Sequence, residues 1–88
     1  SEAVQREDGS WLLDGMLSVD ELRDVLALAQ LPYEGKAHYQ TLGGLAMVAL
    51  GRIPSTGDRF DCCGWRFEVL DMDGHRVDKV LASPQEET

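Results

Sequence analysis

The residues best placed to do chemistry are Thr41-Leu42-Gly43-Gly44, at the head of an apolar run. A helix starting at Leu42 would present free N–H groups and the positive end of its dipole there. Thr41, Gly43 and Gly44 are therefore candidates for holding an anion such as a nucleotide phosphate. A glycine inside a helix costs up to about 1 kcal/mol relative to alanine, so an adjacent pair needs a reason. Close packing of a strand or a second helix on that backbone is the competing one. No Walker lysine and no Gly-x-Gly-x-x-Gly accompanies the pair, which favours packing.

Asp71-Met72-Asp73-Gly74-His75-Arg76 has a calcium-loop flavour, with Asp78 close behind. Such a loop needs oxygen ligands at several spaced positions and a closing bidentate acid. Asp71 and Asp73 supply only part of that set, and Arg76 intrudes on it. A hairpin turning at Asp73-Gly74 explains the same residues, leaving Asp71 and Asp73 as an opportunistic surface cation site. Cys62 and Cys63 are adjacent, so on a strand one faces the core and the other solvent. They are too few for a structural zinc site and read as reduced thiols. His38 and His75 have neither a helical partner nor a neighbouring thiol. Ser10, Ser18, Ser55 and Ser83 read as strand, cap, turn and tail, and no Gly-x-Ser-x-Gly elbow is present. No catalytic residue is assigned, and the chain is expected not to be an enzyme.

Length and charge narrow the choice further. Eighty-eight residues make one domain, able to bury roughly 60–65% of its unfolded surface. Sixteen acidic against eight basic residues give a net charge of −8. That balance argues against nucleic acid, where lysine and arginine supply most of the affinity, and against docking on an anionic membrane surface. The apolar run Leu42–Leu50 is far short of the roughly 18 residues of a membrane span. The start Ser1-Glu2-Ala3-Val4 has no initiator Met and no signal-peptide pattern. The chain is therefore expected to be an excised piece, with residues 1–7 a linker or cloning remnant and 83–88 a disordered tail.

The elements that must position these residues are legible in order. Ser10–Leu13 reads as a strand, Asp14-Gly15 as a hairpin turn, and Met16-Leu17 as a short returning strand. Ser18 and Glu21 form a capping box, with Leu17 and Leu22 as its hydrophobic staple. Leu22, Val25, Leu26 and Ala29 then share one helix face, which Pro32 ends by about Gln30. Leu31–Gln40 is a loop. Thr41 caps a second helix over Leu42–Leu50, closed by Gly51. That helix is apolar on nearly all sides, which implies burial on more than one face. Arg59–Cys63, Trp65–Asp71 and Arg76–Ala82 follow as strands, with Trp65, Phe67 and Val69 on the buried side. Val77 and Val80 are out of phase, so a bulge or twist is expected there. The fold class is α+β: a small mixed or antiparallel sheet with two helices packed on it, in the order β-β-α-α-β-β-β.

Several stretches together resemble the CorC/HlyC transporter-associated domain. They are Asp8–Gly15, Leu17–Leu22, Tyr39–Leu45, Leu50–Pro54 with Gly57-Asp58, and Phe67–Val77. The match spans about 8–82. The resemblance implies a fold similar to half of a PCMH-type FAD-binding domain. It also implies a place at the cytoplasmic C-terminal end of hemolysin-like or magnesium/cobalt-efflux proteins, beside a membrane region and a pair of CBS domains. The implied role is modulation of ion transport by packing against those domains or a second copy as a homodimer. No cofactor is expected. A flavin or adenine nucleotide enters only by analogy of fold, and would make the domain a small-ligand sensor at Thr41–Gly44.

Overall fold

The computed structural model describes residues 2–33 and 38–85. Five strands and two helices follow in the order β1 (Ala3–Gln5), β2 (Trp11–Asp14), α1 (Val19–Leu26), α2 (Leu42–Leu50), β3 (Arg59–Cys62), β4 (Trp65–Asp73) and β5 (Arg76–Pro84). Every strand pairing is antiparallel, and the sheet order is β1-β2-β5-β4-β3. The last strand thus lies at the centre, between the N-terminal hairpin and β4. The two helices bridge from β2 to the far edge at β3.

The pleat decides which face is covered. Leu13, Phe67, Val69, Val80 and Ala82 are fully buried, together with Leu22 of α1 and Leu42, Leu45 and Ala46 of α2. Burying each Leu, Val or Phe side chain contributes about 1.5–3 kcal/mol, so this layer holds the domain together. The alternate residues Leu12, Arg66, Glu68 and Leu81 point to the open side of the sheet and are only half-buried or exposed. Phe60 and Phe67 stack across β3 and β4 with ring centroids 5.0 Å apart.

Both helix starts follow the sequence. Ser18 Oγ accepts the Glu21 N–H (3.1 Å) and donates to the Glu21 carboxylate (3.0 Å). Thr41 Oγ1 accepts the Gly44 N–H at 3.1 Å, and α2 ends at a left-handed Gly51. The two cap residues also face each other in an antiparallel bridge.

Other expectations are corrected. Asp14-Gly15 does not close a hairpin, and Met16-Leu17 is not a strand. Both edges of β2 are already occupied, by β1 and β5, so the chain turns away into α1. Asp14 fastens that turn by accepting the Met16 N–H on Oδ1 (2.8 Å) and the Leu17 N–H on its carbonyl (3.0 Å). The N-terminal hairpin instead joins β1 to β2, so Ala3–Gln5 is sheet within the segment read as linker. Helix α1 stops at Leu26 rather than near Gln30. Ala27 takes φ 54°, and the N–H groups of Ala27 and Leu28 return to Asp24 and Arg23. This Schellman closure turns Leu28 back onto the core and leaves Ala29 exposed.

In the C-terminal hairpin the two turn residues are Gly74 and His75, one place beyond the expected pair, with Gly74 at φ 63°. The expected irregularity near Val77 is present as two opposed bulges. Leu70 is the extra residue in β4 and Asp78 the extra residue in β5, which restores the register. Strand β5 runs through Ser83 and Pro84, and Gln85 donates its N–H to Gly64, so residues 83–85 of the expected tail are ordered against the sheet. Residues 86–88, read as tail, and 34–37, read as loop, lie outside the described residues.

Candidate functional site

Bulge formation at Asp78 positions the first candidate site. The Asp78 carbonyl accepts the Gly15 N–H (2.9 Å), and the Gly15 carbonyl accepts the Gly43 N–H (2.8 Å). The Leu42 N–H donates to Leu17 O (2.9 Å), and the Gly44 N–H is held by Thr41 Oγ1. The first three N–H groups of α2 are therefore spent on the protein. An anion site needs such donors unpaired, so Thr41, Gly43 and Gly44 form a packing joint. The glycines show why it is tight. A Cβ on Gly43 would sit 3.1 Å from Gly15 O and 3.3 Å from Val77 Cβ, and one on Gly44 3.2 Å from Tyr39 Cβ. A Cβ on Gly15 would lie 1.9 Å from Val77 O, which no side chain can tolerate.

Asp71 and Asp73 are both exposed on β4. Their cross-strand partners are Lys79 and Arg76. Lys79 is ion-paired with Asp14, at 3.7 Å from Nζ to Oδ2. Among the described residues no group of three or more His, Cys, Asp or Glu could hold a metal ion. His38 and His75 are exposed.

Cys62 ends β3, while Cys63 and Gly64 form a two-residue turn with φ 62° and 84°, the geometry a tight hairpin favours. The expectation that one thiol faces inward and one outward holds, but a turn rather than strand alternation produces it. Cys62 packs on the core, and burial, then the Cys63 thiol, pushes its pKa up to about 12. Cys63 is exposed and its thiol points to Gln30 O at 3.8 Å. An open cleft of about 450 Å³ lies between this turn and Ala27–Pro32. Its described lining carries no carboxylate, imidazole or amine.

Asp58, in the Gly-Arg-Ile-Pro…Gly-Asp stretch, fastens the loop after α2. Its Oδ2 accepts from Arg52 Nη1 and from the Ser55 N–H, each at 2.7 Å. The Arg52 hydrogen bond, then the Ser55 N–H, holds the Asp58 carboxyl below the usual carboxylate range. The motif is therefore explained as a loop clasp.

What remains outward is the far side of α2. The helix has no charged residue, and Leu42, Gly43, Leu45 and Ala46 fill its buried side. Met47 is 41% exposed and Ile53, just beyond, 45%. Helix α1 is built differently: it buries Leu22 and Leu26 and turns Asp20, Glu21 and Asp24 to solvent. Sequence reasoning noted the apolar circumference of α2, but not that one side stays uncovered.

Two helices laid over one face of a five-stranded antiparallel sheet, with bonded-in helix starts, define a small α+β domain. The chain belongs to the CorC_HlyC family of transporter-associated domains, whose model matches residues 4–86. It is 49% identical over 82 residues to a UPF0053 protein of Synechocystis and 37% identical over 82 residues to the polyamine export protein of Escherichia coli K12. In each case the match covers 93% of this chain and 18% of the relative, so the chain spans under a fifth of those proteins. Among solved structures, a CorC_HlyC domain from a Xylella fastidiosa hemolysin, in complex with Mg++ and Mn++, is 43% identical with a TM-score of 0.83. That match covers 98% of this chain and 100% of that one. The transporter-associated domain of a CBS domain protein from Porphyromonas gingivalis is 29% identical with a TM-score of 0.84, covering 98% and 100%.

Proposed function

We propose that this domain is a non-catalytic regulatory and interaction module of a longer membrane transporter, acting on its cytoplasmic face beside a CBS-domain pair and a membrane region. The observation that carries this reading is α2, whose first three N–H groups are already bonded within the domain while Met47 is exposed. Such a surface suits contact with protein better than capture of a small polar ligand. The family supports a transport context; one relative's name suggests a polyamine as cargo, and the resemblance to magnesium/cobalt-efflux proteins suggests a divalent cation. The domain would adjust transport by its docking, with no chemistry of its own. The test is efflux of these cations from cells carrying the whole transporter with and without residues 4–86. Removal is expected to change the rate of export or its dependence on cation level. Identical export in both would contradict the proposal.

The sensor alternative, with a nucleotide or FAD at Thr41–Gly44, has no observation in its favour. The likeness to a PCMH-type domain is an analogy of fold and assigns no ligand.

A further inference from the structure

Two thiols share one cleft. Cys62 and Cys63 both line the open space of about 450 Å³ beside Ala27–Pro32, a volume within the roughly 300–1,000 Å³ of small-molecule sites. Cys62 reaches it from the core side and Cys63 from the solvent side. The Cys63 thiol points to Gln30 O, another part of the wall, at 3.8 Å. Burial, then the Cys63 thiol, raises the Cys62 pKa to about 12, so the two sulfur groups act on each other. The rest of the wall includes the apolar residues Leu28, Leu31 and Pro32.

Three chemistries compete for such a pair. The first is a direct disulfide. Consecutive Cα atoms across a trans peptide are about 3.8 Å apart, short of the roughly 4.4–6.8 Å that an unstrained disulfide spans. An atom inserted between the sulfurs lengthens the bridge and removes that mismatch. The second is a divalent cation. It needs both thiols as thiolates, which the burial of Cys62 opposes, and it needs further donors, usually four in all for zinc. Among the described residues no third His, Cys, Asp or Glu completes such a group, and the adjoining Asp61 is taken by Arg66 at 2.9 and 3.2 Å. The third is a monosubstituted trivalent arsenical, R–As(OH)₂. It needs two thiols, leaves no charge on either sulfur, and needs room for R.

We infer that Cys62 and Cys63 form a dithiol site for a monosubstituted trivalent arsenical, with its organic substituent held in the cleft against Leu28, Leu31 and Pro32. The exposed Cys63 reacts first. One As–O bond breaks, one As–S bond forms, and the thiol proton leaves with the hydroxide as water. Cys62 then closes the ring in the same way, releasing a second water, and the arsenic stays trivalent throughout. The closure is intramolecular, so it gains the high effective concentration of a held neighbour. A neutral product suits the half-buried position of Cys62, where a thiolate is costly. The site is independent of any role in transport.

The experiment treats the folded chain of 88 residues with phenylarsine oxide and reads the product by intact-mass spectrometry. The expected result is one arsenic per chain, bound with loss of both thiol protons, and both cysteines protected from a later alkylating reagent. The adduct should survive an excess of a monothiol and be removed by a small dithiol. Cys63→Ser should keep the melting temperature, since Cys63 is exposed, and should lose the adduct in the monothiol wash. Retention by Cys63→Ser, protection of a single thiol, or capture only by the urea-unfolded chain would each overturn the dithiol site. Inorganic arsenite gives a second arm, because it offers the same sulfurs no organic group. It is expected to be held about tenfold or more weakly than the phenyl compound, the worth of one part-buried ring. Equal retention of the two would overturn the placement of the substituent in the cleft.

Discussion

Replacing Gly15 with alanine tests the joint on which α2 is seated. The added Cβ would lie 1.9 Å from the Val77 carbonyl oxygen. Real contacts of this kind stay beyond about 3 Å, so β5 and the Gly15 turn must separate by about 1 Å. A gap of that size forfeits a quarter to a half of each dispersion contact it opens, and overpacking alone costs typically about 1–3 kcal/mol. The same movement stretches the Gly15–Asp78 and Gly43–Gly15 hydrogen bonds, each a net contribution of about 0.5–1.5 kcal/mol. The sum is about 2–6 kcal/mol. A chain of 88 residues has about 4–13 kcal/mol in total, so Gly15→Ala should leave a large fraction unfolded or cut stability by half. Two further variants grade the argument. Gly43→Ala meets backbone at 3.1 Å and Val77 Cβ at 3.3 Å, which should outweigh the propensity gain of about 1 kcal/mol and destabilise mildly. Gly44→Ala meets Tyr39 Cβ at 3.2 Å and Thr41 Oγ1 at 3.5 Å, a crowding that the propensity gain of about 1 kcal/mol offsets, and should be near neutral. Urea unfolding followed by fluorescence of Trp11 and Trp65, both packed on the core, reads all three. A Gly15→Ala midpoint equal to that of the wild type, or lying above that of Gly44→Ala, would refute the reasoning.

Acid should loosen the loop after α2. The Asp58 carboxyl titrates below its ordinary value in the folded state, chiefly through the Arg52 hydrogen bond, so its stabilisation is present above the usual carboxylate pKa of about 4 and lost as pH falls through the folded value. Asp58→Asn is expected to lower the denaturation midpoint at pH 7 and to shrink the drop between pH 7 and pH 3; an unchanged drop would count against the clasp. The thiols should separate in rate: at pH 8 a disulfide reagent is expected to titrate Cys63 rapidly and Cys62 only on unfolding, since burial raises the Cys62 pKa to about 12. Cys63→Ser should therefore abolish the fast phase, and its survival would contradict the assignment. Millimolar AMP, ATP or FAD should leave the melting temperature unmoved, because the N–H groups of Leu42, Gly43 and Gly44 are already bonded; a clear rise would restore the sensor reading.

Local signals in the sequence carried through wherever one residue type had one physical use. Ser18, Thr41 and Gly51 marked the helix ends because caps act within a few residues. The alternation of Trp65, Phe67 and Val69 identified the buried face of β4. The sequence offers Leu17 two places, as a strand residue and as a staple for α1. Only the staple formed, because β2 had no free edge for a returning strand, a fact set by the distant pairing with β5. The end of α1 was hidden for a different reason. Ala27 adopts a left-handed conformation more typical of glycine, and the pull on it is the burial of Leu28 against the core. At the candidate site the glycine pair was visible, but its partner Gly15 was masked by a hairpin pattern. Whether the N–H groups of α2 were free depended on Leu17 and Gly15, which only folding brings beside them. The register that sets Lys79 and Arg76 opposite the acid pair Asp71 and Asp73 comes from the pairing of β4 with β5, which no local pattern reveals.

The most direct test of the account is the double substitution Met47→Lys with Ile53→Lys in the whole transporter. Both side chains are exposed in the isolated domain, at 41% and 45%, so that domain should keep its melting temperature while gaining charge on and just beyond α2. The account predicts that cation export in the double variant matches that of the transporter lacking residues 4–86. Export equal to that of the wild type, with the deletion clearly different from both, would show that the domain works through some other surface.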